Sequence, residues 1–168
     1  LVSFGDLLGR ICVEVGLKPS SLATRGQIRA AVQLVCEDLA AESPFGACRN
    51  FPGFHDSLAD TLNELHHWDI GPDDLELASN ACDDTLKSKL LALRELDIAT
   101  RSSLESIGRV FSSQRARLIL DSEITKAPHF TRLLVLAGSD FRPVDLLVLK
   151  RLSENGVRVQ VAVESSPG

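Results

Sequence analysis

The chain has 168 residues, of which 44% are hydrophobic and 24% charged, and its formal net charge is −5. That balance suits a globular chain with one good core and room for a second small lobe. No apolar run approaches the roughly 20 residues of a membrane span, and the opening Leu-Val-Ser-Phe-Gly-Asp lacks the basic-then-apolar layout of a signal peptide, so a cytoplasmic protein without membrane contact is expected.

Helical signals dominate up to about residue 124. Leu7, Leu8, Ile11, Cys12 and Val15 mark one face of a first helix that Gly16 stops. Thr24-Arg-Gly-Gln27 reads as a capping box ahead of Ile28, Ala31, Val32, Leu34, Val35 and Leu39, a second helix expected to run to Ser43-Pro44. Phe54, Leu58, Leu62 and Leu65 define a third helix ending near Trp68. Gly71-Pro72-Asp73-Asp74 is a turn and cap for a short helix, and Asp83-Asp84 caps a long one carrying Leu86, Leu90, Leu93, Leu96 and Leu104. Arg115 to Leu120 adds one more.

The last forty residues change character. Leu133 to Leu136 is an unbroken apolar run, as expected of a parallel strand buried on both faces. Pro143 opens a helix through Leu146, Leu147, Leu149 and Leu152, Asn155-Gly156 stops it, and Val157, Val159, Val161 and Val163 alternate as a half-exposed strand. The fold expected is mainly α with a small α/β part: a strand over residues 1–4, a helical lobe over 5–125 and a βαβ unit over 126–168. Val2 to Phe4 is expected to join the other two strands in one mostly parallel sheet. Two strands do not make a sheet that stands alone, so a piece of a larger protein is expected; the absence of methionine fits an excised segment and equally fits processing or compositional bias.

Few residues invite a chemical reading. Cys12, Cys36, Cys48 and Cys82 form no Cys-x-x-Cys pair and read as small hydrophobes of a reducing compartment, with no zinc. His66 and His67 point about 100° apart on a helix and cannot share a metal; a helix C-terminus explains them, and surface or capping roles explain His55 and His129. No phosphate loop, nucleophile elbow or dinucleotide fingerprint occurs, so no cofactor is expected in this chain. Between Gly53 and Asp97 eleven acids face only Lys87, Lys89 and Arg94. Any weak grip on DNA must then use Arg109, Arg115, Arg117, Lys126 and Arg132, although dispersed bases of this kind commonly form a solvated face. The loop Ala137, Gly138, Ser139 and Asp140 follows the first strand of the βαβ unit, where α/β sheets bind ligands. Ala137 cannot hold magnesium, and Ser139 or Asp140 reads as a cap for the next helix.

In order of elements the chain resembles the helicase-like N-terminal region of the B subunit of AddAB-type ATP-dependent helicase–nucleases, an inactivated relative of UvrD-like superfamily 1 helicases. Val2-Ser-Phe-Gly-Asp-Leu7 is similar to that family's entry into its first helix. Phe51-Pro-Gly-Phe-His-Asp-Ser-Leu58, Glu64-Leu65 and Asp69-Ile-Gly-Pro-Asp-Asp-Leu75 resemble its helical insertion. Leu136-Ala-Gly-Ser-Asp-Phe-Arg-Pro-Val-Asp145 and Val157 to Val163 fill the places of its following loop, helix and strand. The resemblance implies a non-catalytic scaffold or DNA-gripping region of a DNA repair protein, with DNA and a helicase–nuclease subunit as partners. ATP and magnesium would then belong to the parent, because the family's strand-end aspartate falls on Ala137. A free-standing helical protein-interaction module is the alternative.

Overall fold

A computed structural model describes residues 3–17, 20–122, 130–137 and 142–163, with the side chains of residues 136, 137 and 163 left aside. The described residues form seven α-helices, a short 3-10 turn and two two-stranded parallel sheets, so the chain is mainly α with a small α/β part. It divides into two compact units: a helical unit of residues 21–111, and an α/β unit that joins residues 1–20 to residues 112–168. The division expected at residue 125 therefore falls elsewhere. The first helix and the helix after residue 111 bury their apolar faces with the βαβ segment rather than with the helices between them.

In the helical unit, helix α2 (Arg25–Glu37) starts on the expected capping box. The Gln27 amide N–H donates to the Thr24 hydroxyl at 3.3 Å, and the Thr24 N–H donates to Gln27 Oε1 at 3.0 Å. The helix stops at Glu37, six residues before Ser43, because the chain then coils through tight turns around Gly46. A Cβ at Gly46 would overlap the carbonyls of Ala40 and Ala41, so only glycine permits that approach. Helix α3 (Pro52–His67) begins with proline at its first position and ends at Trp68 as expected. Helix α4 (Pro72–Ser79) is opened by Asp74, which accepts the Gly71 N–H at 2.8 Å, and helix α5 (Asp84–Ser106) by Asp83, which accepts the Leu86 N–H at 2.9 Å. Ile28, Val32, Cys36, Leu58, Leu62, Leu96, Leu104 and Phe111 fill the core between α2, α3 and α5. Strands β1 (Ser21–Leu22) and β2 (Arg109–Val110) pair in parallel and tie the two ends of the unit together.

The α/β unit opens with helix α1 (Phe4–Glu14), not with a strand. The Ser3 hydroxyl accepts the Asp6 N–H at 3.1 Å, and Phe4 lies one turn before Leu7 and Leu8 on the stripe that Ile11 and Cys12 continue. Helical periodicity thus reaches back over the position expected to be extended; Val2 lies outside the described residues. Helix α6 (Ser112–Asp121) packs on α1 and on helix α7 (Pro143–Glu154). The α7 helix is the crossover between the parallel strands β3 (Arg132–Ala137) and β4 (Arg158–Val163), which pair from Arg132↔Arg158 to Ala137↔Val163. Gly156 takes φ +87° at the end of α7, and the Val157 N–H closes back on the Leu152 carbonyl at 3.1 Å. Leu8, Ile11, Cys12, Ala116, Ile119, Val144, Val148 and Leu152 form the core, with Leu133 and Val159 packed against it.

Among the described residues the two faces of β3 differ: Val135 is buried on one, whereas Leu134 on the other is 63% exposed, so the expectation of a strand buried on both sides does not hold there. The parallel pair has helices against a single surface, and among the described residues no third strand extends it.

Candidate functional site

Ala137 ends β3; Gly138, Ser139 and Asp140 lie outside the described residues. The residue in the N-cap position of α7 is Arg142, whose backbone is extended and whose side chain caps nothing. Its guanidinium instead forks onto the Asp145 carboxylate, with Nε to Oδ2 at 2.8 Å, and donates to the Ser112 hydroxyl. Both charged groups are buried. The position of Asp145 in the first turn places its negative charge at the positive end of the α7 dipole. The pair thus engages the Arg142 guanidinium, and Ala137, which ends β3, has no side-chain atom that could bind a metal.

The basic residues expected to grip DNA have different surroundings. Arg115 is 7% exposed: its Nη1 donates to the Gly5 carbonyl at 3.1 Å and its Nη2 to the Ser20 carbonyl. Burial pushes its pKa below the ordinary guanidinium value. Arg115 is a strut that ties α6 to the two ends of the α1 segment, and it has no path to a phosphate; its assignment to a DNA footprint is corrected on that ground. Arg109 is half-buried with Nη1 3.5 Å from the Leu22 carbonyl, and it belongs to the helical unit. Arg117 and Arg132 are exposed in the α/β unit, and Lys126 lies outside the described residues.

A buried polar cluster in the helical unit is the feature that sequence reasoning missed. His66 is 2% exposed and Asp97 1%. The His66 Nε2 lies 2.8 Å from Asp97 Oδ1, Arg101 Nε lies 3.1 Å from Asp97 Oδ2, and the imidazole stacks on Phe111 with ring centroids 3.7 Å apart. Burial lowers the His66 pKa and outweighs the opposing pull of Asp97. The imidazole is therefore neutral at neutral pH and donates its Nε2–H to the carboxylate. The cluster has the partners of a general-base dyad but not the access, because Phe111 covers the ring and no substrate reaches it. The expectation that His66 serves the helix terminus is corrected, while His67 stays exposed in the last turn of α3. The signal was in the spacing. His66 stands four residues after Leu62 on the apolar face of α3, and Asp97 stands between Leu96 and Thr100 on that of α5.

The remaining candidates are structural. Cys12 and Cys36 are buried, which raises both thiol pKa values, whereas Cys48 is exposed and Cys82 half-buried; all four are free. The His55 ring nitrogen Nε2 meets the Arg49 carbonyl at 2.6 Å and locks the turn before α3; His129 lies outside the described residues. Among the described residues no three His, Cys, Asp or Glu side chains converge as metal ligands, and no helix is long and apolar enough to cross a membrane. Comparison with known protein families and with curated proteins finds no match to this chain.

Proposed function

We propose that the chain is a non-catalytic scaffold within a cytoplasmic DNA repair protein of the helicase–nuclease kind, and that any ATP-driven step of that protein is performed outside these residues. The reading draws on the resemblance in element order and on one observation: the buried charges are spent on each other or on the backbone. Arg142 is held by Asp145, Arg101 and His66 by Asp97, and Arg115 by main-chain carbonyls. Groups held in this way keep a shape; Nε of Arg101 and of Arg115 makes no hydrogen bond, but both atoms are buried, so neither is presented to a phosphate. Scaffolding is favoured over gripping DNA because, among the described members of the expected basic set, Arg115 is buried and Arg109 half-buried, while Arg117 and Arg132 stand exposed.

The test is a pair of titrations on the full chain. Calorimetry with magnesium-ATP is expected to give no heat of binding, and fluorescence anisotropy with a labelled single strand at low salt is expected to give the same weak baseline for the parent and for Arg117→Glu/Arg132→Glu. Micromolar nucleotide binding, or a salt-sensitive DNA affinity that the double variant abolishes, overturns the reading. A second reading, a helical protein-interaction module, is favoured by the exposed Trp68, Leu77 and Leu86 on the acid-rich helical unit. The coding sequence upstream of Leu1 separates the two, because a phosphate loop there belongs only to the first.

A further inference from the structure

We propose that the open face of the β3–β4 pair is a docking surface for an amphipathic helix that carries carboxylates beside apolar side chains. The proposal rests on the scaffold reading above and names the chemistry of what is held. Register and alternation decide which residues share this face: Arg132 with Arg158, then Leu134 with Gln160, and Ala162 beyond them. Arg132, Leu134, Arg158, Gln160 and Ala162 are all exposed, whereas Val135 on the opposite face is buried.

Two features make this face unlike an ordinary solvated surface. Parallel strands are found with helices over both faces, because their crossovers and apolar side chains require it, yet among the described residues α1, α6 and α7 contribute to one core on one side. Second, Arg132 and Arg158 stand directly opposite each other on neighbouring strands, about 4.8 Å apart in the pairing direction, where like charges repel. No ion pair or hydrogen bond to either guanidinium is found among the described residues. A cationic pair at one end of an apolar strip is complementary to a ligand that is anionic at one end and apolar beyond it.

Spacing narrows the ligand further. Leu134 lies two residues along the strand from Arg132, about 6.6 Å at the usual strand rise. A helix advances about 6 Å in four residues, so a Glu or Asp four positions from a Leu on one helix face sets its carboxylate over the two guanidiniums and its apolar side chain over Leu134. A nucleic acid strand would satisfy the two arginines but leave Leu134 and Ala162 in water, so a protein helix matches the surface better.

The probe is a fluorescein-labelled, alanine-rich helical peptide with Glu and Leu at i, i+4, set against a counterpart with Lys for Glu. Anisotropy of the full chain at low salt is expected to favour the Glu peptide. Arg132→Glu/Arg158→Glu is expected to weaken that peptide by at least about tenfold and to turn the preference toward the Lys peptide, while Leu134→Ser weakens both. Backbone amide shifts on titration are expected to cluster at residues 132–136 and 158–162. Because the altered side chains are exposed, unchanged circular dichroism and melting will show that the variants stay folded. Equal binding of the two peptides, undiminished binding of the Glu peptide by the charge-reversed chain, or shifts confined to another surface would each overturn the proposal. So would a chain dimer that Leu134→Ser dissociates, since the occupant would then be a second copy. If the peptide fails while ATP and DNA also fail to bind, only the assignment of this face is lost; DNA binding abolished by Arg132→Glu/Arg158→Glu would instead remove the scaffold reading itself.

Discussion

Replacing Asp97 by alanine removes the acceptor on which His66 and Arg101 converge. The carboxylate is 1% exposed, and it faces His66 Nε2 at 2.8 Å and Arg101 Nε at 3.1 Å. The His66 Nε2–H then loses its carboxylate acceptor in a buried site, which costs about 1–3 kcal/mol. Loss of the Arg101 partner adds less, because that side chain is 23% exposed and water reaches it. Taken together the expected destabilisation is about 3 kcal/mol, at the lower end of what breaking a buried pair usually costs. Urea unfolding followed by circular dichroism measures it, and a double-mutant cycle with His66→Phe isolates the His66–Asp97 part. That part is expected to reach at least about 1 kcal/mol, because phenylalanine keeps an aromatic ring beside Phe111 and removes the hydrogen bond to Asp97. The same pair fixes a pH dependence. The unfolded chain takes up a proton at His66 near pH 6.5, while burial lowers the folded value, so the unfolded state binds more protons between the two. The stabilisation is complete above pH 6.5, declines as the pH falls below it, and stops declining once the folded pKa is passed. A loss under about 0.5 kcal/mol for Asp97→Ala, or an acid slope that persists unchanged in His66→Phe, would refute the reasoning.

Other perturbations test the rest of the fold. Leu62, fully buried in the helical unit, should cost about 2–5 kcal/mol when cut to alanine, read as a shift in the urea midpoint with an unchanged slope. Two glycines should respond in opposite directions: Gly26, in α2 with open space at its Cβ position, should gain about 0.5–1 kcal/mol as alanine, whereas Gly46→Ala should lose stability because the new methyl meets the Ala40 and Ala41 carbonyls. Asp145→Ala should destabilise the α/β unit by about 3–5 kcal/mol, because it strands the buried Arg142 charge. The double variant Arg142→Leu/Asp145→Ala should recover much of that loss in the same assay.

Local chemistry in the chain was enough to place most helix starts. Thr24 with Gln27, Asp83, Pro52 and Pro143 each satisfy or avoid an orphan N–H within one turn of themselves, so their effect needs no distant partner. The stop at Asn155-Gly156 is local in the same sense. The α2 helix shows the limit of this logic: apolar periodicity continued to Leu39, but the helix ended at Glu37, before the turns that bring Gly46 against Ala40 and Ala41. Phe4 shows it from the other side, since an apolar residue next to a cap is helical or extended according to what it packs against.

The candidate site was legible only in its absences: no phosphate loop, no metal spacing and an alanine at the strand end are properties of single positions. Which charges were available for function was a different matter. Arg115 and Arg117 are two residues apart in sequence, yet one is sealed against the Gly5 and Ser20 carbonyls and the other faces solvent. Their spacing puts them on different sides of α6, but only the packing of α1 decided which side became interior. His66 and Asp97 are thirty-one positions apart, and nothing local to either foretells the other. The sequence by itself determined most helix starts and the stop at Asn155-Gly156, because each rests on contacts within a few residues. Tertiary structure alone decided that α1 and α6 join that unit, that Arg115 and His66 turn inward, and that the face bearing Leu134 stays open, because burial depends on which surfaces meet across the chain.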